Sequence, residues 1–216
     1  MNFDFSDEQK QLRDEARKFL AEKCPPKAVR VVLDGKEAHD RVLWKGLADM
    51  GFLGVAIPEA YGGSGAGHLE LCVIAEEMGR ALAPVPFSST VYLAAEAILL
   101  AGSEAQKQKW LPLIASGDAI GTLALFEGKG NPSPQAIKLA ASGGSLSGVK
   151  KPVPDGAVAD FAIVAARTGS SGRDTDISLF LVDMKSEGVE ARALTNIDPS
   201  RGQAELTFKN CKAEPL

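Results

Sequence analysis

Residues 116–130 read SGDAIGTLALFEGKG, and the chain changes its habit inside that stretch. Before Ala119 the apolar side chains recur at the 3.6-residue period of a helix; after it they alternate with a period near 2, that of a strand. Working back from this point, Glu104–Ala115 reads as a helix opened by Gly102-Ser103, and Val91–Leu100 as another. Leu69–Ala81 is a third, with Leu71, Ile74, Ala75 and Met78 inward and Pro84 and Pro86 beyond its end. Asp40–Met50 carries Leu43, Leu47 and Met50 on one face and stops at Gly51. The first helix opens at Ser6, which forms a capping box with Gln9, and Asp7 and Glu8 sit in the first turn where the helix dipole favours acids. Cys24-Pro25-Pro26 ends it, and Pro58–Gly67 reads as a loop.

Working forward, β-prone runs appear at Ile120–Leu125, Ile137–Ala140, Ser145–Val149, Phe161–Ala165, Ile177–Val182, Glu190–Ala193 and Ala204–Phe208. Turn-rich segments separate them, among them Gly143-Gly144 and Thr168–Asp176, with Thr168–Arg173 expected as a hairpin tip. Strands that follow one another without helices between them predict an antiparallel barrel or sandwich. The expected fold class is therefore α+β and multidomain: an N-terminal all-α domain over residues 1–117, then an antiparallel β domain over 118–216.

The composition narrows the partners. With 24 Lys and Arg against 28 Asp and Glu, the net charge is −4, so the chain lacks the basic field that a phosphate backbone selects. Aromatic residues make up only 6%, which further disfavours base stacking and nucleic acid as a partner. Cys24, Cys72 and Cys211 are odd in number and far apart, as expected of reduced thiols in the cytoplasm. His39 and His68 stand too far from other ligand types to suggest zinc. Asp4, Asp7 and Glu8 occupy the stretch where a secretory signal would be basic. The longest apolar stretch, Val91–Ala101, is interrupted by Glu96 and is too short to cross a bilayer.

Several motifs invite chemistry and fit it poorly. Gly62–Gly67 (GGSGAG) is glycine-rich, but it lacks the Lys-Ser/Thr of a phosphate loop and any surrounding βαβ unit, so a structural turn is expected. Ser147-Gly148-Val149-Lys150 has the SxxK spacing on a strand-like segment, without the companion motifs of that nucleophile class. Glu76 and Glu77 are adjacent on a helix and project about 100° apart, which suits one solvated and one buried partner better than an acid–base pair. Trp44 and Trp110 sit beside leucines and read as packing residues.

The segment LWKGLADMGFLG (43–54), running into PEAYGGSG (58–65), resembles the signature of acyl-CoA dehydrogenases. FDFSDEQKQLRDEARKFL (3–20), AEEMGRALAPVPF (75–87), GSEAQKQKWLPLIASGDAIGTLAL (102–125) and RGQAELTFKNCKAEPL (201–216) agree with it in order and spacing. The resemblance implies a helical domain, a β domain and a C-terminal four-helix domain, with FAD between the last two. It also implies α,β-dehydrogenation of an acyl-CoA thioester, in which a glutamate takes the α-proton and flavin N5 takes the β-hydride. That base is borne by the C-terminal domain, beyond the part that Leu216 matches, so no catalytic residue is assigned in this sequence. Glu59 and Glu127 match family glutamates other than the base.

Two departures fall at the flavin-facing positions. Phe126 stands where the family has a threonine whose hydroxyl helps bind the flavin's polar edge, and Pro152-Val153-Pro154 replaces its Trp-Ile-Thr/Ser strand. The residues carried over as flavin neighbours are Leu123, Leu125, Phe126, Pro152, Val153 and Pro154; as plain residues they read equally as β core. Two functions are expected: an FAD-dependent acyl-CoA dehydrogenase, or a non-catalytic subunit of a hetero-oligomeric complex of such enzymes. The resemblance implies an acyl-CoA substrate, association with copies or relatives of the chain, and an electron-transfer flavoprotein to receive the electrons.

Overall fold

The computed structural model describes residues 4–171 and 173–216; Phe3, in the opening motif, and Gly172, in the expected hairpin tip, lie outside the described residues. Helix α1 (Asp7–Lys23) begins as its sequence demands: Ser6 Oγ accepts from the Gln9 amide at 3.2 Å, and Gln9 Oε1 accepts from the Ser6 amide at 3.0 Å. The Pro25-Pro26 pair does end α1, but Pro26 also opens a helix that periodicity missed, α2 (Pro26–Leu33). Proline suits the first helical position, where its absent N–H has no partner to lose. Helix α3 (Arg41–Asp49) is capped by Asp40, whose Oδ1 accepts from the Leu43 amide at 2.9 Å, and Gly51 follows it with φ 74°. Helix α4 (His68–Arg80) is followed by π-helical turns over Ser88–Ala95 that run directly into α5 (Glu96–Ala101). The expected Val91–Leu100 helix thus starts earlier than its sequence suggests and is partly π-wound. Helix α6 (Glu104–Ala115) repeats the capping box with Ser103 and Gln106.

One helical core joins Leu20, Leu43, Trp44, Leu47, Phe52 and Ile74, all buried. Each such side chain contributes about 1.5–3 kcal/mol by leaving water. Both tryptophans pack as expected. Trp44 Nε1 donates to Gly117 O at 2.9 Å, and Trp110 lies 4.3 Å, centroid to centroid, from Phe161 of the sheet. No helix among the described residues is long and apolar enough to cross a membrane.

The sheet is built from β1 (Gly121–Ala124), β2 (Ala140–Ser142), β3 (Ser145–Pro154), β4 (Phe161–Arg167), β5 (Ile177–Asp183), β6 (Val189–Leu194), β7 (Gln203–Lys212) and β8 (Glu214–Pro215). Its order is β6-β7-β3-β2-β4-β5-β8, with β1 paired to β4. The α+β class stands. Most pairings are antiparallel, but the all-antiparallel expectation needs correction at β4, where β1 and one residue of β2 run parallel to it. Alternating side chains specify which face is buried and leave strand direction open. The β2–β3 hairpin intervenes between β1 and β4 and lets the chain return in the same sense. Strand β3 is longer than expected, because it continues through Pro152 and Pro154.

Candidate functional site

The six residues expected beside a flavin come from two places that the topology joins. Leu123, Leu125 and Phe126 lie where the chain leaves β1; Pro152, Val153 and Pro154 end β3. Three hydrogen bonds tie the two. Thr122 Oγ1 donates to Pro154 O at 2.5 Å, the Lys151 amide donates to Phe126 O at 2.7 Å, and the Gly128 amide donates to Lys151 O at 2.7 Å. Leu125, Phe126 and Pro154 are half-buried and Pro152 is exposed, so each keeps apolar surface within reach of a ligand, and together they are the candidate wall. The cleft along Leu125–Pro132, Ala136 and Ile137 holds only about 40 Å³, roughly one water's worth of room.

The side chains do not all face the same way. Leu123 packs on the cluster of Ala94, Ile98, Trp110 and Phe161 under the helices, whereas Val153 is fully buried among Leu146, Ala204 and Leu206 inside the curled sheet. Val153 therefore offers a ligand its backbone alone. The cause is a shift in the β3–β7 register between Lys150 and Val153, which turns both inward although they are three residues apart.

Lys150 is the residue that sequence reasoning missed, although it rightly set the SxxK spacing aside. Its SxxK companion Ser147 is exposed and accepts a hydrogen bond from the Asn210 amide. Lys150 itself is fully buried, with Nζ 2.7 Å from Glu127 Oε1 and 3.1 Å from Leu125 O. Burial by itself would raise the Glu127 carboxyl, but the Lys150 bond and the amides of Leu139 and Lys138 outweigh it and hold the group below the usual carboxylate range. Burial pulls the Lys150 ammonium below its usual value, against the opposing influence of Glu127. No local pattern signals this pair; strand register creates it.

The remaining motifs are structural. Pro58–Gly67 folds back onto the turn before it, with Ser64 N donating to Gly54 O at 3.0 Å and Gly65 N to Ile57 O at 2.9 Å. Glu77 is buried and accepts from Arg17 at 2.7 and 3.0 Å, with Arg80 Nε 3.2 Å away, while Glu76 is exposed. Among the described residues no His, Cys, Asp and Glu cluster could hold a metal ion.

The wall suits the apolar face of a flavin better than the flavin's polar edge. Leu125 O and Phe126 O already accept from Lys150 and Lys151, and the two prolines have no amide to donate. A flavin ring bound here would have Leu125, Phe126, Pro152 and Pro154 as its apolar neighbours, while Leu123 packs toward the helices.

The family model for the N-terminal domain of acyl-CoA dehydrogenases matches residues 6–118. Mitochondrial isovaleryl-CoA dehydrogenase of Pongo abelii is 35% identical over 217 residues, covering 96% of this chain and 51% of that protein. The ChsE4-ChsE5 complex from Mycobacterium tuberculosis is similar in structure, with a TM-score of 0.85 at 31% identity over 99% of this chain and 57% of that one. Acyl-CoA dehydrogenase complexed with FAD from Bacillus anthracis gives a TM-score of 0.85 at 26% identity over 98% of this chain and 37% of that one. The chain spans about half the length of the curated relatives it matches. With that family model matching more than half of the chain and a relative 35% identical over 96% of it, the chain belongs to the acyl-CoA dehydrogenase family.

Proposed function

We propose that this chain supplies the flavin-facing wall of an FAD-dependent acyl-CoA dehydrogenase, an oxidoreductase that desaturates an acyl-CoA thioester between Cα and Cβ. The observation that carries this reading is the convergence of the chain leaving β1 and the end of β3 on one apolar wall, in a member of this family. The FAD complex of the Bacillus anthracis relative supports the cofactor. Bound there, FAD would supply the hydride acceptor. The chain's own residues position it: Leu125, Phe126, Pro152 and Pro154 press on the ring system and exclude water, with Leu123 packed toward the helices and Val153 contributing backbone. Glu127 is excluded as the base, because its two oxygens are engaged by Lys150 and by the Lys138 and Leu139 amides. No catalytic residue is assigned within this chain.

The reading keeps the division into a helical domain, residues 1–117, and a β domain, 118–216. It takes copies or relatives of this chain as partners and an electron-transfer flavoprotein as the electron acceptor. Three free cysteines support a reducing compartment such as the cytoplasm. A second reading, a non-catalytic subunit of a hetero-oligomer, is favoured by Phe126, which brings no hydroxyl, and by the two prolines, which have no amide of their own to donate. The ChsE4-ChsE5 relative, named as a complex, supports it. The two part on one experiment, a titration of the full chain with FAD followed by an acyl-CoA panel. Stoichiometric bound flavin with a shifted visible band supports the enzyme, and bleaching on adding an acyl-CoA is expected only where the catalytic base is also present. A chain that retains no flavin once excess FAD is removed refutes the first reading and leaves the second.

A further inference from the structure

An ammonium group inside a β-sheet core is costly unless it is paired and fully hydrogen-bonded, and a well-packed apolar side chain often serves stability as well. Lys150 is nevertheless among the largest fully buried side chains of the described residues. Its two bonds go to Leu125 O and Glu127 Oε1. Glu127 extends the link: Oε1 accepts from the Leu139 amide at 3.0 Å and Oε2 from the Lys138 amide at 2.9 Å. The pair of Lys150 on β3 with Glu127 therefore grips both ends of the segment between Glu127 and Lys138. Within that segment the chain has left the sheet. Gly128 and Gly130 take φ of 122° and 111°, and its one regular element is the short turn Pro134–Ala136. The segment's inner neighbours are Leu125 and Phe126, which form the candidate wall with Pro152 and Pro154.

We propose that Lys150 and Glu127 are positioning residues that clasp the 125–139 segment to β3 and thereby set the height of the Leu125–Phe126 side of the wall against Pro152. Neither residue touches a ligand. The inference rests on the flavin reading only for what the wall receives; the clasp itself is judged without any cofactor.

The test compares the full chain with the double variant Lys150→Met/Glu127→Leu and the single variant Glu127→Gln, by thermal melting, site-resolved hydrogen exchange and FAD titration. The clasp requires the double variant to melt close to the parent while the amides of Lys138 and Leu139 exchange at least tenfold faster and amides of β4 and β5 stay unchanged. Unchanged exchange at Lys138 and Leu139 overturns the proposal. So does loss of protection spread evenly over the sheet, since the pair would then be a general stabiliser. Should the double variant fail to fold, Glu127→Gln decides the matter, with the same local pattern required at smaller amplitude. Where the parent binds FAD, the clasp variants are expected to bind it at least tenfold more weakly, and parental affinity in them also overturns the proposal. A parent that binds no FAD removes the flavin reading, and the exchange data still decide the clasp.

Discussion

Replacing Gly63 with alanine should damage the helical half far more than a single methyl group suggests. Gly63 faces Gly54 across the folded 58–67 loop. A Cβ on Gly63 would fall 2.5 Å from Gly54 O and closer still to Ile57 O, both of them backbone atoms with no rotamer to change. Gly54 has little room to retreat, because a Cβ built on it would itself lie 3.0 Å from Ala115 Cβ and 3.2 Å from Gly63 Cα. The loop must open, and the bonds at risk are Ser64 N to Gly54 O, Gly65 N to Ile57 O and Ser64 Oγ to Val55 O. At about 1 kcal/mol each, their loss comes to about 3 kcal/mol. For a chain of this length that corresponds to a fall in Tm of roughly 6–12 °C. Gly35→Ala is the control: Gly35 has φ 71° and nothing within 4 Å of a new Cβ, so it carries only the left-handed backbone cost, about 1 kcal/mol. Thermal unfolding followed by circular dichroism separates them. If Gly63→Ala melts level with Gly35→Ala, the close approach at Gly63 is not what shapes this loop.

Two other expectations concern titratable groups. Burial pushes the Cys24 thiol up to about 11 and raises Cys211 as well, whereas Cys72 is exposed; alkylation of the native chain at neutral pH should label Cys72 first, and rapid labelling of Cys24 would contradict its burial. Burial raises the Asp155 carboxyl, with the Ser89 hydrogen bond and Arg201 acting against it. An acid raised in the folded state contributes stability below its unfolded value that is lost as pH rises through the folded one. Asp155→Asn, which also tolerates the φ of 52°, should therefore raise Tm at pH 7, with the gain vanishing toward about pH 3. A gain that grows on acidification would show the sign to be wrong.

The change of period at Ala119 announces the transition from helices to sheet, and the caps at Ser6 and Ser103 are legible because capping is local. Helix α2 is hidden because Pro25-Pro26 reads as a stop, although Pro26 also makes a good start. Strand β3 is under-read past Val149 because prolines argue against strands; it survives them where its register shifts, at the point where ladder bonds are already interrupted. The parallel course of β1 is not written in alternation at all. For the candidate site, the two segments that the family resemblance points to lie side by side, the Lys151 amide donating to Phe126 O. The resemblance does not reveal that Val153 turns inward, or that Lys150 and Glu127, 23 residues apart, are partners. Those facts depend on register, which a one-residue shift would reverse.

The parallel pairing of β1 with β4 also sets a timetable for synthesis. Gly121 pairs with Phe161, so the first strand of the sheet has no partner on β4 until roughly forty further residues have left the ribosome. At about 5–20 residues per second that interval is about 2–8 s. Throughout it, Trp110, Ala94 and Ile98 wait without the phenylalanine ring that later covers them. A nascent chain held in that interval is the form of this protein most in need of a chaperone, and slowing translation between codons 125 and 160 should lengthen the exposure.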